Sequence, residues 1–216
     1  MIGLDFRETF GYVRASFVSG STKEPTLKSP YTGQIDSRVV YGGSFFKVRR
    51  DRVRLPDGSV GELEIIRHPG AVAVLPVYRP GEWSSGDGAA VVLLRQYRYA
   101  ADGYVWEVPA GKLDTSEAPE VCARRELEEE AGLRATELQR LTSIYTTPGF
   151  TDEQIDIYAA TGLSEGRAAP ESTEFIETET LPVAEALRLI EEGEIADSKT
   201  ICSLLWARCF TDLMDG

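Results

Sequence analysis

The sequence predicts an α+β fold, in which a mixed β-sheet is sandwiched between helices and preceded by a small N-terminal antiparallel β domain. Three observations predict it. The runs "GAVAVLPVYR" and "AAVVLLRQYRYA" are continuously apolar, as strands buried on both faces are. The segments ending at Gly132, "PVAEALRLIEEGEI" and "DSKTICSLLWARCFTDLM" read as helices. Upstream, "SRVVYGG", "SFFKVRRDRVRL" and "VGELEIIRH" read as short strands, with Asp57-Gly58 as a hairpin turn between the last two.

The elements follow in order. Residues 1 to about 37 carry turn-formers in "SGSTKEP" and "KSPYTGQ" and predict irregular connections. The three strands after them make a β module too small to bury much alone, which must pack on the rest of the chain or on another subunit. "PGEWSSGDG" is a polar loop between the two apolar strands. "VWEVPAGKLD" is extended, and a helix begins near Ser116 to Pro119, where a Ser or Thr cap and a Pro in the first turn are expected. Gly132 ends that helix in a position suited to the left-handed conformation. "LTSIYTTPGFTDEQIDIYAATGL" reads as strand, loop, strand, "SEGRAAPEST" as a polar loop, and "EFIETETL" as a last strand before two helices. The division expected is a β module over 1–67 and the main domain over 68–216.

Composition narrows the function classes. The 216 residues are 42% hydrophobic and 27% charged, the mix of a soluble globular protein. With 35 acidic against 23 basic residues the net charge is −12, which disfavours nucleic acid and anionic membranes as partners. The start, "MIGLDFRETFGYVRASFVSG", has neither a secretory signal nor a membrane span, so a cytoplasmic protein is expected. Cys122, Cys202 and Cys209 form no C-x-x-C pair and are expected to be free, mostly buried thiols. A lone His68 precludes a histidine-cluster metal site, so any metal ligands must be oxygens.

The stretch "RRELEEEAG" supplies them. At about 100° per residue, Glu126, Glu129 and Glu130 share one helix face while Glu128 points away. Like charges at i and i+4 destabilise a helix, and a bound cation would remove the conflict. Mg²⁺ is such an ion, a hard cation that prefers carboxylates, carbonyls, waters and phosphates. Arg125, four residues before Glu129, can hold that carboxylate by an ion pair. Gly111 would let the strand turn sharply into the loop before the helix.

From Gly111 to Leu133 the chain reads G-x5-E-x7-R-E-U-x-E-E-x-G-U, where U is bulky and aliphatic. Gly111, Glu117, Arg125, Glu126, Leu127, Glu129, Glu130, Gly132 and Leu133 all match. Average residue frequencies put a chance match on the order of one in a billion per starting position. This pattern is the Nudix box, and the chain resembles the Nudix hydrolases. The resemblance implies the Nudix fold and hydrolysis of a nucleoside diphosphate linked to another group. It implies Glu126, Glu129, Glu130 and the Ala110 carbonyl as metal ligands, Mg²⁺ or alternatively Mn²⁺ as the ion, and Glu117 as a supporting carboxylate.

The flanking segments "RQYRYAADGYVWEVPAGKLD" and "TTPGFTDE", with Pro148, resemble the bacterial ADP-ribose pyrophosphatases, as does the N-terminal module. This implies cleavage of ADP-ribose to AMP and ribose 5-phosphate by a homodimer that exchanges its N-terminal strands. It also implies that Arg67 and Arg98 contact phosphates or the terminal ribose, that Phe46 lies against adenine and that Phe150 lines the pocket. Leu63 stands where some relatives carry a tryptophan that stacks on the base. The general base falls among Glu174, Glu171 and Glu153, with Glu174 first because "APESTEF" reads as a closing loop. Two alternatives remain: a hydrolase of another nucleoside diphosphate sugar such as GDP-mannose, and a non-catalytic ligand sensor.

Overall fold

The computed structural model describes residues 33–43, 46–170 and 172–215. Within them the first sheet is built from β1 (Gln34–Gly42), β2 (Lys47–Arg54) and β3 (Val60–Ile66), each antiparallel to the next. The β2–β3 connection is the expected hairpin. Gly58 takes φ +86°, and its N–H donates to the Leu55 carbonyl at 2.9 Å. The sheet remains open to solvent on most of its length: Ile35, Val39, Val40, Tyr41, Val60 and Leu63, and Leu55 just after β2, are all exposed. The exception is Asp51, buried in the middle of β2.

The second sheet carries the core. Its strands are β4 (Ala71–Tyr78), β5 (Ala90–Arg98), β6 (Gly103–Glu107), β7 (Ala110–Lys112), β8 (Leu133–Tyr145), β9 (Gln154–Glu165) and β10 (Ile176–Pro182). The order is β10-β5-β4-β9-β8, with β6 on β5 and β7 on β4. The sheet is mixed because β4 and β9 run parallel while the other pairs are antiparallel. Strands β4 and β5 pair only at Val77–Val91 and Tyr78–Ala90, then part company. The extended stretch from Val105 to Leu113 therefore splits at Val108-Pro109, one half following β5 and the other β4.

Helices α1 (Pro119–Ala131), α2 (Val183–Glu191) and α3 (Ser198–Phe210) cover the two faces. Val72 and Val74 of β4 pack with Cys122, Ala123 and Leu127 of α1. Their neighbours Ala73, Leu75 and Val77 point the other way, into a cluster with Ala186 of α2 and Leu204 and Ala207 of α3. Burial from both sides is why β4 reads as an unbroken apolar run.

Three local expectations are corrected. Strand β8 begins at Leu133, directly after the helix, instead of near Leu141. Its first half is a charged edge strand, and only Leu133, Ala135 and Leu138 of it reach the core. The cap residue of α1 is Ala118, with no side-chain cap; Pro119 at the first helical position takes over part of that role, since it has no N–H to satisfy. The three cysteines are free, but only Cys122 is buried, Cys202 being half-buried and Cys209 exposed. Among the described residues no helix is long and apolar enough to cross a membrane.

Candidate active site

The acidic face predicted from the sequence lies where α1 meets β7. Glu126 and Glu130 are buried, while the Glu129 side chain keeps 43% of its exposure. Glu128 points to the far side and pairs with Arg134. Glu130 accepts a hydrogen bond from the Ala110 amide at 2.8 Å, which ties the helix to the strand. Gly111 follows, and its contribution differs from the sharp turn expected of it. Its φ is not positive; the absence of a Cβ matters because one would sit 1.8 Å from Oε1 of Glu126. Glycine lets that carboxylate lie on the strand backbone. Gly132, by contrast, adopts the left-handed φ of +65° as expected and returns its N–H to the Glu128 carbonyl.

Arg125 organises the carboxylates. It donates to Glu129 at 3.0 Å, the i,i+4 pair read from the sequence, and also to Glu126 at 2.7 Å. Its Nε and Nη2 both reach Glu117 at 3.0 Å. That bidentate pair, with the Asp114 amide, holds the Glu117 carboxyl down to about 2. Arg125 therefore spans three carboxylates, two of them candidate metal ligands.

Burial pushes Glu130 up to about 8, an effect that the charges of Glu126 and Glu174 reinforce and the Ala110 amide opposes. Glu126 is also raised, first by burial and then by Glu129 and Glu174 against the pull of Arg125. Glu174 is thus close enough to bear on both. It is brought there by the polar loop after β9, which crosses the end of α1: the Gly166 amide donates to Gly132 and the Ala169 amide to Glu129. Several carboxylates of one sign, two of them buried, make a donor set suited to a hard divalent cation. Among the described residues no group of three acidic, His or Cys side chains converges as a ready cage, with Arg125 and the Ala110 amide holding the oxygens instead.

The other candidates fall in several places. Arg98, at the end of β5, grips Glu107 of β6 with Nε at 2.7 Å and Nη2 at 2.8 Å, and its charge also favours ionisation of Glu130. Arg67 joins the two sheets, donating to Asp51 of β2 at 2.5 Å and to Asp152 at 3.0 Å. Phe150 is exposed on the loop beside that junction, where its carbonyl accepts from the Ile66 amide at 2.8 Å. Glu153 accepts from the Thr146 hydroxyl at 2.8 Å and lies 3.4 Å from Nε2 of His68. Phe46 is exposed on the first sheet, 6.0 Å from the Tyr41 ring centroid to centroid. Glu171 lies outside the described residues.

Sequence reasoning missed the partners. Glu107 and Lys199 are buried, and the Lys199 ammonium pairs with the Glu107 carboxylate that holds Arg98. Their separation of 92 positions leaves no local signal. His68, a lone histidine in the sequence, carries no signal of its partner either, although its Nε2 lies 3.4 Å from Glu153.

An acidic helix laid on a short strand of a mixed sheet, with an arginine spanning its carboxylates, defines the class, and sequence comparison gives the family. The NUDIX domain family matches residues 67–204, and the chain belongs to it. A second family, the nucleoside diphosphate sugar hydrolase N-terminal domain, matches residues 34–66. The chain is 40% identical over 172 residues to the methanol dehydrogenase activator of Bacillus methanolicus, covering 79% of this chain and 89% of that protein. It is 36% identical over 176 residues to the ADP-ribose pyrophosphatase of Bacillus subtilis (strain 168), covering 81% and 91%. The crystal structure of an ADP compounds hydrolase matches with a TM-score of 0.70 at 21% identity over 81% of this chain and 91% of that one, a likeness of fold.

Proposed function

We propose that this protein is a metal-dependent hydrolase of nucleoside diphosphate sugars whose substrate is ADP-ribose, cleaved to AMP and ribose 5-phosphate. The observation that carries the reading is the buried pair Glu126 and Glu130, packed on Gly111 and the Ala110 amide within a complete Nudix box. The name of the Bacillus subtilis relative supports ADP-ribose as the sugar nucleotide.

Glu126, Glu129, Glu130 and the Ala110 carbonyl would hold Mg²⁺, or Mn²⁺ in its place. An ion held there would supply charge neutralisation for the diphosphate, a more acidic water and stabilisation of the leaving oxygen. The chain's own residues do the rest. Arg125 keeps Glu126 and Glu129 oriented through its contacts with both and with Glu117. Glu174 takes the proton of the attacking water, a role that its electrostatic proximity to Glu126 and Glu130 supports. Glu171 is the alternative base on the same loop. The water's OH adds to one phosphorus as the bond from that phosphorus to the bridging oxygen breaks, and the proton taken by Glu174 passes to the phosphate that leaves.

Arg98 meets diphosphate oxygens with the N–H groups that Glu107 does not hold. Arg67 contributes at the rim, since Asp51 and Asp152 share its guanidinium. Phe46 lies against adenine and Phe150 lines the pocket. The 1–67 module pairs with that of a second copy, which would cover its exposed apolar residues. The acidic charge and free cysteines suit a protein of the cytoplasm that binds neither nucleic acid nor membrane.

The test is product analysis by chromatography after incubation with Mg²⁺ and ADP-ribose, GDP-mannose, UDP-glucose or NADH. AMP forming fastest from ADP-ribose, and not in the presence of chelator, is the expected result. Turnover of another member with silence on ADP-ribose would keep the chemistry and overturn the specificity.

A further inference from the structure

Behind Arg98 lies a chain of charges, with Glu107 and Lys199 buried and Asp197 half-buried, that runs into the C-terminal helix. Glu107 receives Arg98 on both oxygens, and Oε2 also receives the Lys199 ammonium. Lys199 is in turn 3.0 Å from Asp197, which caps α3 by accepting from the Thr200 amide at 2.9 Å. The Thr200 hydroxyl donates to the same carboxylate at 2.7 Å and accepts from the Val108 amide at 2.9 Å. The chain of contacts thus closes on Val108, two residues before the β7 strand that carries Ala110 and Gly111 of the acidic site. Burial alone would raise the Glu107 carboxyl, but Arg98 and Lys199 outweigh it and hold it below its ordinary value.

A buried ion pair is weak evidence for stability, because desolvation offsets much of its attraction and apolar residues of similar volume often serve as well. Its position suggests another use. An arginine gripped at Nε and Nη2 has its plane fixed, and its Nη1 edge points away from the gripping carboxylate. Arg98 and Lys199 balance Glu107 and Asp197 in charge. Without Lys199, Arg98 alone would face two carboxylates as well as Glu130.

We propose that Glu107 and Lys199 are positioning residues for Arg98, so that helix α3 fixes the arginine that meets the substrate diphosphate without touching substrate itself. The inference rests on the reading that Arg98 binds the diphosphate.

The experiment is steady-state kinetics on ADP-ribose for the native protein, Lys199→Met, Arg98→Gln and the double variant. Lys199→Met is expected to raise KM about 10-fold with a smaller change in kcat, the pattern of lost binding. The double variant is expected to be no worse than Arg98→Gln alone, because both changes break one unit. Glu107→Gln, nearly isosteric, should reproduce the KM rise if Lys199→Met fails to fold, and Lys199→Arg should restore most of it. Native turnover with KM unmoved by Lys199→Met or Glu107→Gln overturns the positioning role alone, as do effects that multiply in the double variant. Silence of the native protein on ADP-ribose overturns the substrate reading and this use of Arg98 with it.

Discussion

Gly111 and Glu126 occupy one space: a Cβ on the glycine would lie 1.8 Å from Oε1 and 2.1 Å from Cδ of the glutamate. The carboxylate cannot swing far, since Arg125 holds it at 2.7 Å and α1 is anchored by Glu130 on the Ala110 amide. Gly111→Ala must therefore displace the Glu126 carboxylate or lift the helix. Overpacking of this kind costs about 1–3 kcal/mol. Loss of ligand orientation should cut activity by about 10–100-fold. Thermal melting together with kcat/KM measures both. A variant that melts and turns over like the native protein would show that the contact is slack. Gly58→Ala is a useful contrast, because its Cβ would meet nothing within 4 Å and only the left-handed φ opposes it.

Glu130, raised to about 8, links the site to pH. A carboxyl whose folded value exceeds its ordinary 4.5 contributes stability that is complete below that ordinary value and lost as pH rises through about 8. The metal-free protein should accordingly melt at lower temperature at pH 9 than at pH 6.5. Glu130→Gln, which cannot ionise, should flatten that slope and melt above the native metal-free protein at pH 9. Added Mg²⁺ should recover native stability at high pH, and its binding at pH 7 should expel about one proton, read by calorimetry in buffers of different ionisation enthalpy. Equal slopes for the native protein and Glu130→Gln would remove Glu130 as the source.

The helix that carries these groups was legible because its signals lie within one short stretch: the repeated carboxylates, Arg125 four residues before Glu129, and Gly132 at the end. The sandwich was legible for a similar reason, since the apolar run of β4 already states that both faces are covered. What escaped was set by contacts between distant parts of the chain. Glu107 looks like any carboxylate in an extended stretch until α3 brings Lys199 to it across 92 positions. Gly111 gave no sign that a side chain from the following helix would need its missing Cβ. The charged first half of β8 hides its strand because an edge strand shows most of its residues to water.

Of the three candidate bases, Glu174 and Glu153 should separate cleanly. Glu174 influences Glu126 and Glu130 from the loop across the end of α1, and Glu153 lies beside Thr146 and His68. Glu174→Gln should lower kcat by about 100-fold or more and remove the acidic limb of the pH–rate profile. Glu153→Gln should change kcat by less than about 10-fold, below the usual contribution of a general base. The reverse order would move the base to the "PGFTDE" loop and give His68 the task of orienting it.

The first sheet leaves a run of apolar side chains open to solvent. Val39, Val40 and Tyr41 on β1, Leu55 after β2, and Val60 and Leu63 on β3 are all exposed, in a sheet of only three strands. What anchors it is polar: Asp51 of β2 is buried under Arg67, which also holds Asp152, and the Ile66 amide donates to Phe150. A second copy of the chain, presenting the same surface, would bury those side chains symmetrically. Light scattering should give twice the mass of one chain, and Tyr41→Asp should shift the population toward monomer with a parallel loss of turnover. A monomer of full activity at working concentration would refute a site shared between subunits.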